Sequence, residues 1–140
     1  TDADWTTPLT NRTSLTHDSY GFTDLNRVEE NNQYLSDVLN AMGYLNSVTT
    51  NYTWVRTDFF KQADETQYLA NIETIRSMLT VPITTPTTPT SLDDITITVA
   101  NNIEKIALDV YNLSIAIRYE TNLKRAGTVG AIAGANIGLI

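Results

Sequence analysis

Few residues of this 140-residue chain could do chemistry, and most of them lie near its start. His17 is the single histidine, and Ser14, Asp18 and Ser19 lie beside it, which superficially matches the residue types of a Ser-His-Asp hydrolase. A triad is assembled by convergence of distant segments, because adjacent residues rarely orient one another. We therefore interpret His17 as a surface-loop residue and predict that the chain has no catalytic residue.

Paired carboxylates are a second candidate for chemistry. Glu29-Glu30 and Asp93-Asp94 could exchange protons in acid–base catalysis or bind a hard cation. However, no calcium-loop spacing is present, and Asp93-Asp94 precede a predicted helix, where negative charge suits the helix dipole. The chain also has no cysteine and no Gly-rich phosphate loop. We expect neither a metal site nor a cofactor site.

The composition excludes one class of partner and indicates one folded domain. An apolar fraction of 41% in 140 residues is enough for a modest core. The net charge of −7 and scattered basic residues argue against binding along a phosphate backbone. We therefore predict no nucleic-acid partner. The 23 Thr and 13 Asn favour hydrogen-bonded loops and turns.

A short pattern occurs three times, at residues 25–29, 69–73 and 100–104. In each copy an aliphatic residue directly precedes a Glu, which we expect to bond backbone or Arg/Lys groups. A second aliphatic residue follows seven positions after the first. The resulting pairs are Val28 and Leu35, Ile72 and Leu79, and Ile103 and Val110. Such a repeat indicates one helical unit used three times.

The helical spacing predicts an all-α protein with three main helices in a small bundle. We place them at about 23–45, 60–79 and 98–125, with an irregular N-terminal arm before the first. A Pro/Thr-rich linker at 80–94 favours extended geometry. The alternation over residues 95–98 is also compatible with a short strand. Asn31, polar at a position of the apolar seam, is expected to fix the register at some cost in stability.

The third helix is predicted to be apolar on two opposite faces. One face carries the seam, and the other carries a second stripe. A helix of this kind must be covered on both sides, either by the N-terminal arm or by another subunit. The seam residues are Ile103, Ile106, Val110, Leu113 and Ile117, and the second stripe is Leu108, Tyr111, Ile115 and Tyr119.

Residues 126–140 carry no charge and are rich in Gly and Ala. They are too few to cross a bilayer, which needs about 20 apolar residues. Gly130, Gly134 and Gly138 are four apart, which on a helix makes a smooth strip for close packing. A tightly packed β or irregular junction and a flexible connection to a further segment remain open. We treat 1–125 as one helical domain and 126–140 as an oligomerisation or junction segment.

The order of these pieces resembles a module of virion structural proteins. Asp18-Ser-Tyr-Gly-Phe-Thr-Asp-Leu-Asn-Arg-Val-Glu-Glu-Asn31 follows Trp5, and Trp54-Val-Arg-Thr-Asp-Phe-Phe60 precedes Tyr68-Leu-Ala-Asn-Ile72. Ala100-Asn-Asn-Ile-Glu-Lys-Ile106 follows the Pro/Thr-rich linker. Over residues 5–120 this resembles tail and baseplate-associated proteins of phages and prophages of Gram-positive bacteria. Gly21 departs from the Asn common in that module, and the Gly/Ala tail is not part of it.

The resemblance implies a non-enzymatic, oligomeric component of a phage tail, baseplate or fibre attachment, assembled in the host cytoplasm. We expect self-association, with a trimer favoured, contacts to other virion proteins and no membrane span. The predicted interface residues are Ile106, Leu108, Tyr111, Ile115, Tyr119, Gly130, Gly134 and Gly138. The alternative is a host-surface glycan-binding module that uses Trp5, Trp54 and the Thr-rich loops, although core anchoring is the favoured interpretation of both tryptophans.

Overall fold

The computed structural model describes residues 21–93 and 95–134, with side chains up to Lys124. These residues form three helices and no strand: α1 spans Phe22–Ala41, α2 Gln62–Ser77 and α3 Ile97–Gly134. The predicted all-α, three-helix fold is therefore confirmed. The strand considered at residues 95–98 is wrong, because α3 begins inside it.

The first turns of α1 and α2 are closed by the same device. The Asp24 carboxylate accepts the backbone N–H of Gly21 at 2.9 Å, and Asp64 accepts that of Lys61 at 2.8 Å. In both cases the acid lies three residues after the N-cap and takes up a backbone donor that the helix leaves unpaired. A negative charge there also interacts favourably with the helix dipole.

Helix α1 ends four residues earlier than predicted because Gly43 turns the chain. Gly43 has a φ of +95°, in the left-handed region that favours glycine. The N–H of Tyr44 donates to the carbonyl of Leu39 at 2.8 Å, and that of Gly43 donates to Asn40 at 3.0 Å. This pair of bonds is the Schellman motif, which satisfies carbonyls at a helix end.

The three helices run parallel. Buried residues from the N-terminal parts of all three helices meet in one cluster, and residues from later turns meet in another. Helices whose N-terminal turns pack against one another, and whose later turns do the same, must point in the same direction. The N-terminal cluster comprises Leu25, Val28, Tyr68, Leu69, Ile72, Ile103 and Ile106; the C-terminal cluster comprises Leu35, Leu39, Ile75, Leu79, Ala107 and Val110.

The threefold repeat coincides with this parallel packing. The first aliphatic residues of the repeats, Val28, Ile72 and Ile103, all belong to the N-terminal cluster. Their partners seven positions later all belong to the C-terminal cluster. One chain therefore supplies three similar helices at the same level, as three separate chains do in a parallel trimeric coiled coil.

Parallel helices need long connections, and the first return segment (residues 44–61) runs back along α1. Near its start Asn46 accepts the Ser36 hydroxyl at 2.6 Å. Near its end the Asn26 amide donates to the Trp54 carbonyl and accepts the Trp54 N–H, both at 2.8 Å. The start of this segment contacts the C-terminal half of α1 and its later part contacts the N-terminal turns, so the segment is antiparallel to the helix.

The second return segment (residues 79–93) follows α2 in the same way. Arg76 donates to the Pro86 carbonyl at 2.7 Å, and the N–H of Leu92 donates to the Glu65 carboxylate at 3.0 Å. Thr85 also donates to Asp109 of α3 at 2.6 Å. The Pro/Thr-rich linker is thus a strap held against α2 and α3 by side-chain hydrogen bonds.

Candidate functional site

Helix α3 continues beyond the bundle that its first half helps to form. It has 38 residues and so is about 57 Å long at 1.5 Å per residue. Its last buried residue among those with described side chains is Ser114. Ile117 still packs against the C-terminal cluster, but the remaining stretch from Ile115 to Gly134, about 30 Å long, has no buried residue among its described side chains. We call this stretch the α3 extension.

The α3 extension carries an apolar stripe at helical spacing. Ile115 is 40% exposed, Tyr119 69% and Leu123 59%. Side chains four residues apart lie on the same face of a helix, so these three form one strip, here called the exposed stripe. Ile115 and Tyr119 were predicted to meet another subunit. Leu123 extends the same four-residue spacing and was missed by the sequence analysis.

The earlier part of the predicted second stripe is covered within the chain. Leu108 and Tyr111 are half-buried and pack against the C-terminal cluster. The ring of Tyr111 lies 6.2 Å from that of Tyr34 on α1, tilted by 52°. The second face is therefore covered at both residues, but by the chain itself, with Tyr34 of α1 covering Tyr111.

Ile106 requires a correction. It is 1% exposed and lies in the N-terminal cluster with Val28, Ile72 and Ile103. A side chain enclosed by its own protomer offers no surface to a second subunit. Its position on the seam, and not on the second stripe, accounts for this burial.

The predicted boundary between the helical domain and the Gly/Ala tail does not coincide with the end of α3. The helix continues nine residues past its predicted end, and Gly130 and Gly134 are part of it. Gly138 lies outside the described residues. Of the alternatives for residues 126–140, the helix is therefore the one observed as far as Gly134.

A groove lies between the end of α1 and the base of the α3 extension. Its volume is about 510 Å³, and we call it the C-terminal groove. Apolar side chains from both helices line it together with polar side chains from α3. The lining residues are Val38, Ala41, Met42, Gly43, Tyr44, Ile117, Arg118, Thr121 and Asn122. The spacing of residues in the sequence did not predict this groove, because the groove depends on the point along α3 at which α1 ends.

A second groove, of about 400 Å³, lies at the opposite end of the bundle. Trp54 lines it with Arg56, Asp58 and Phe60. The Trp54 and Phe60 rings meet edge to face at 5.3 Å, and Phe60 meets Tyr68 in the same way at 6.4 Å. These contacts support the interpretation of Trp54 as a core anchor. Trp5 lies outside the described residues.

Glu29 is a buried carboxylate at the interface of α1 and α2. It is 4% exposed, and the Asn71 amide donates to both of its oxygens at 3.1 Å. The same amide group bonds the carbonyl of Thr49 at 2.7 Å. Burial raises the pKa of Glu29 to about 7, against the opposing effects of Asn71 and Asn32. Asn71 of α2 thereby links Glu29 of α1 to the first return segment.

The three repeated glutamates bind different partners. Glu104 is buried and paired with Arg27 of α1 at 2.8 Å. Glu73 is exposed and accepts the Thr88 hydroxyl of the second return segment. The expectation of an Arg or Lys partner is therefore met at Glu104, whereas Glu29 and Glu73 bind an amide and a hydroxyl.

Asn31 is 1% exposed on α1, so its predicted place in the apolar seam agrees with its burial. Its amide nitrogen has no hydrogen-bond partner among the residues that the structure describes. In the repeat it occupies the position of Ile75 and Ile106, three residues after the first aliphatic residue. A buried amide nitrogen without a partner lowers stability, which is the cost expected of a register residue.

Within the described ranges, no group of three or more His, Cys, Asp or Glu side chains is arranged to hold a metal ion. His17 lies outside those ranges. The described part of the chain also contains no helix that is both long and apolar enough to span a membrane.

Comparison of the chain with protein-family models, with curated proteins and with solved structures finds no match.

Proposed function

We propose that this protein is a non-enzymatic structural component of a phage particle, in the tail, the baseplate or a fibre attachment. It self-assembles through α3 and the Gly/Ala segment of residues 126–140, the first part of which belongs to α3. The observation that carries the self-assembly is the exposed stripe on the α3 extension. The sequence resemblance over residues 5–120 supports the setting within a virion.

The exposed stripe has a physical reason to associate. Fully burying one large apolar side chain contributes about 1.5–3 kcal/mol. Ile115, Tyr119 and Leu123 keep 40–69% of their surface exposed, so their burial between chains is still available as a driving force. Residues 126–134, which continue the same helix without any charge, lengthen the surface on which chains can pack.

The bundle gives the α3 extension a fixed base. Its return segments are tied to the helices by the amides of Asn26 and Asn71, and Arg27 ties α1 to Glu104 of α3. A helix held in this way projects in a defined direction, which suits a repeated part of a particle. Cyclic symmetry is the usual arrangement of closed homo-oligomers, and a trimer is the form we expect. The remaining partners would be other virion structural proteins.

Light scattering of the purified full chain tests the proposal. We expect a homo-oligomer, with a trimer as the favoured species. The double variant Tyr119→Lys/Leu123→Lys should be monomeric, because two charges cannot be buried in an apolar contact without a large desolvation cost. Both positions are exposed in the protomer, so the fold should be retained.

Ala70→Lys is the matched control, because it adds a charge at an exposed position of α2 away from α3's stripe. It should assemble as the wild type does. A wild-type chain that remains monomeric would contradict the proposed self-assembly.

Glycan binding is the second candidate function, and the groove beside Trp54 is the observation that favours it. An indole flanked by Arg56 and Asp58 offers a stacking face and polar groups for a sugar. Glycan-dependent protection of tryptophan fluorescence from quenching would support this function. The edge contact of Trp54 with Phe60 gives the ring a structural role that is sufficient without a ligand.

A further inference from the structure

The exposed stripe and the C-terminal groove lie at the same level of α3 but on different faces. The stripe uses positions 115, 119 and 123, and the groove uses 117, 118, 121 and 122. At 3.6 residues per turn the centres of these two sets are roughly 130° apart around the helix axis. Two surfaces that point so far apart cannot both face one neighbouring chain.

We propose that the exposed stripe of one copy docks into the C-terminal groove of the next copy, so that each chain contacts two neighbours. This inference rests on the proposed self-assembly and specifies its partner surfaces. A contact between two different surfaces is heterologous, and it closes into a ring when the rotation between copies permits. An isologous dimer, in which stripe packs on stripe, is the competing arrangement.

The chemistry of the groove fits the stripe. Val38, Ala41, Met42 and Ile117 give it apolar walls, and the flexible Met side chain can adapt to an inserted group. Thr121 and Asn122 add polar groups to the same lining. Tyr119 has a matching character, with an apolar ring and a hydroxyl that needs a hydrogen-bond partner when it is buried.

Hydrogen bonding also favours this pairing over stripe-on-stripe packing. Thr121 and Asn122 of the groove carry groups that can bond the Tyr119 hydroxyl, whereas Ile115 and Leu123 of a facing stripe carry none. The charge of Glu120 beside the stripe is balanced within the helix, because Glu120 pairs with Lys124 at 2.9 Å.

A mixing experiment on the full chain separates the two arrangements. The stripe variant is Tyr119→Lys/Leu123→Lys, which keeps an intact groove. The groove variant is Ala41→Trp, which keeps an intact stripe and places an indole in the groove at an exposed helix end. Ala70→Lys and Ala70→Trp are the matched controls. Circular dichroism should show equal helix content in all of them.

The expected result is that each variant alone is monomeric and that their mixture forms a complex of two chains. Its mass, measured by light scattering, should be twice the 15.6 kDa of the chain. Assembly stops there because the remaining stripe and the remaining groove are both blocked. The control variants should assemble as the wild type does.

Two results overturn the inference in different ways. If the wild type assembles but the mixture yields no two-chain complex, the stripe–groove contact is wrong and the proposed self-assembly stands. Assembly of the groove variant alone, as in the wild type, would then indicate stripe-on-stripe packing. If the wild type is monomeric, both proposals fail, and lower stability of Ala41→Trp than of Ala70→Trp would indicate that the chain's own residues cover the groove.

Discussion

At the scale of single residues, Asn and Glu side chains within the repeats hold the helices and return segments together. Asn26 and Asn71 each bond the backbone of the first return segment, at Trp54 and at Thr49. Glu29 and Glu104 hold the same place in their repeats, yet Glu104 has a guanidinium partner and Glu29 has an amide. Equal positions in the sequence repeat thus have different electrostatic environments, and this difference leads to a pH effect.

We expect the stability of the protein to fall as pH rises toward neutrality, because of Glu29. The pKa of Glu29 is raised from 4.5 to about 7, so the folded state keeps a proton that the unfolded state releases between these values. The contribution is present in full below pH 4.5 and is lost as pH rises through 7. It amounts to roughly 3 kcal/mol in the free energy of unfolding.

Urea unfolding of Glu29→Gln and wild type at pH 5 and pH 8 measures this effect. Gln resembles the protonated acid, so the variant should gain stability relative to the wild type at pH 8 and little at pH 5. Glu73→Gln, at the exposed glutamate of the second repeat, is the control and should show no such pH-dependent gain. An equal difference at both pH values would show that Glu29 does not carry the proton.

At the scale of secondary structure, the end of α1 shapes one side of the C-terminal groove. The periodicity alone extended the first helix to about residue 45, and Leu45 is in fact 81% exposed. The Schellman motif at Gly43 ends the helix at Ala41 and turns the chain into the first return segment. Periodicity reports which residues are apolar, whereas the helix end depends on one residue that adopts a positive φ.

Gly43→Ala should destabilise the protein by about 1–2 kcal/mol, because an L residue is strained at a φ of +95°. Apart from the chain neighbours of Gly43, no heavy atom of the described residues lies within 4 Å of the added Cβ, so the cost comes from the backbone and not from a clash. Thermal unfolding by circular dichroism measures it. Gly43→Asn should lose less, since Asn tolerates the left-handed region better than Ala. A loss of the same size for both substitutions would argue against this origin.

At the scale of the whole molecule, the fold is a parallel three-helix bundle with approximate threefold repetition in one chain. Ile75 and Ile106 hold matching positions in the second and third repeats, and Asn31 holds that position in the first. All three are 1% exposed. The first helix therefore places a polar group at a level where the other two place isoleucine.

Asn31→Ile should raise the free energy of unfolding by about 1–2 kcal/mol, because it removes a buried amide whose nitrogen has no hydrogen-bond partner among the described residues. Urea unfolding measures the change. Thr66→Leu, an apolar substitution at an exposed position of α2, is the control and should have a much smaller effect. A destabilised Asn31→Ile variant would mean that the amide makes a favourable contact after all. The role of Asn31 in register stays a prediction.

Sequence reasoning predicted the fold class and much of the core, but less of the candidate site. The seven-residue pairs of the three repeats are all buried, as their spacing indicated. Of the predicted interface residues with described side chains, Ile115 and Tyr119 are exposed, Leu108 and Tyr111 pack within the chain, and Ile106 is core. Their spacing on the helix was correct. Whether each side chain is exposed depends on how much of α3 is packed against α1 and α2, which the spacing does not show.

The sequence by itself determined that three similar amphipathic helices would form and that the third would be apolar on two faces. These properties depend on side-chain type and helical period, which are local. Only the tertiary structure decided that the helices are parallel, that straps run back along α1 and α2, and that α3 extends beyond its neighbours. Those features arise from contacts between residues distant in sequence, such as Asn26 with Trp54 and Arg27 with Glu104. The C-terminal groove exists because α1 ends against α3, which continues past it.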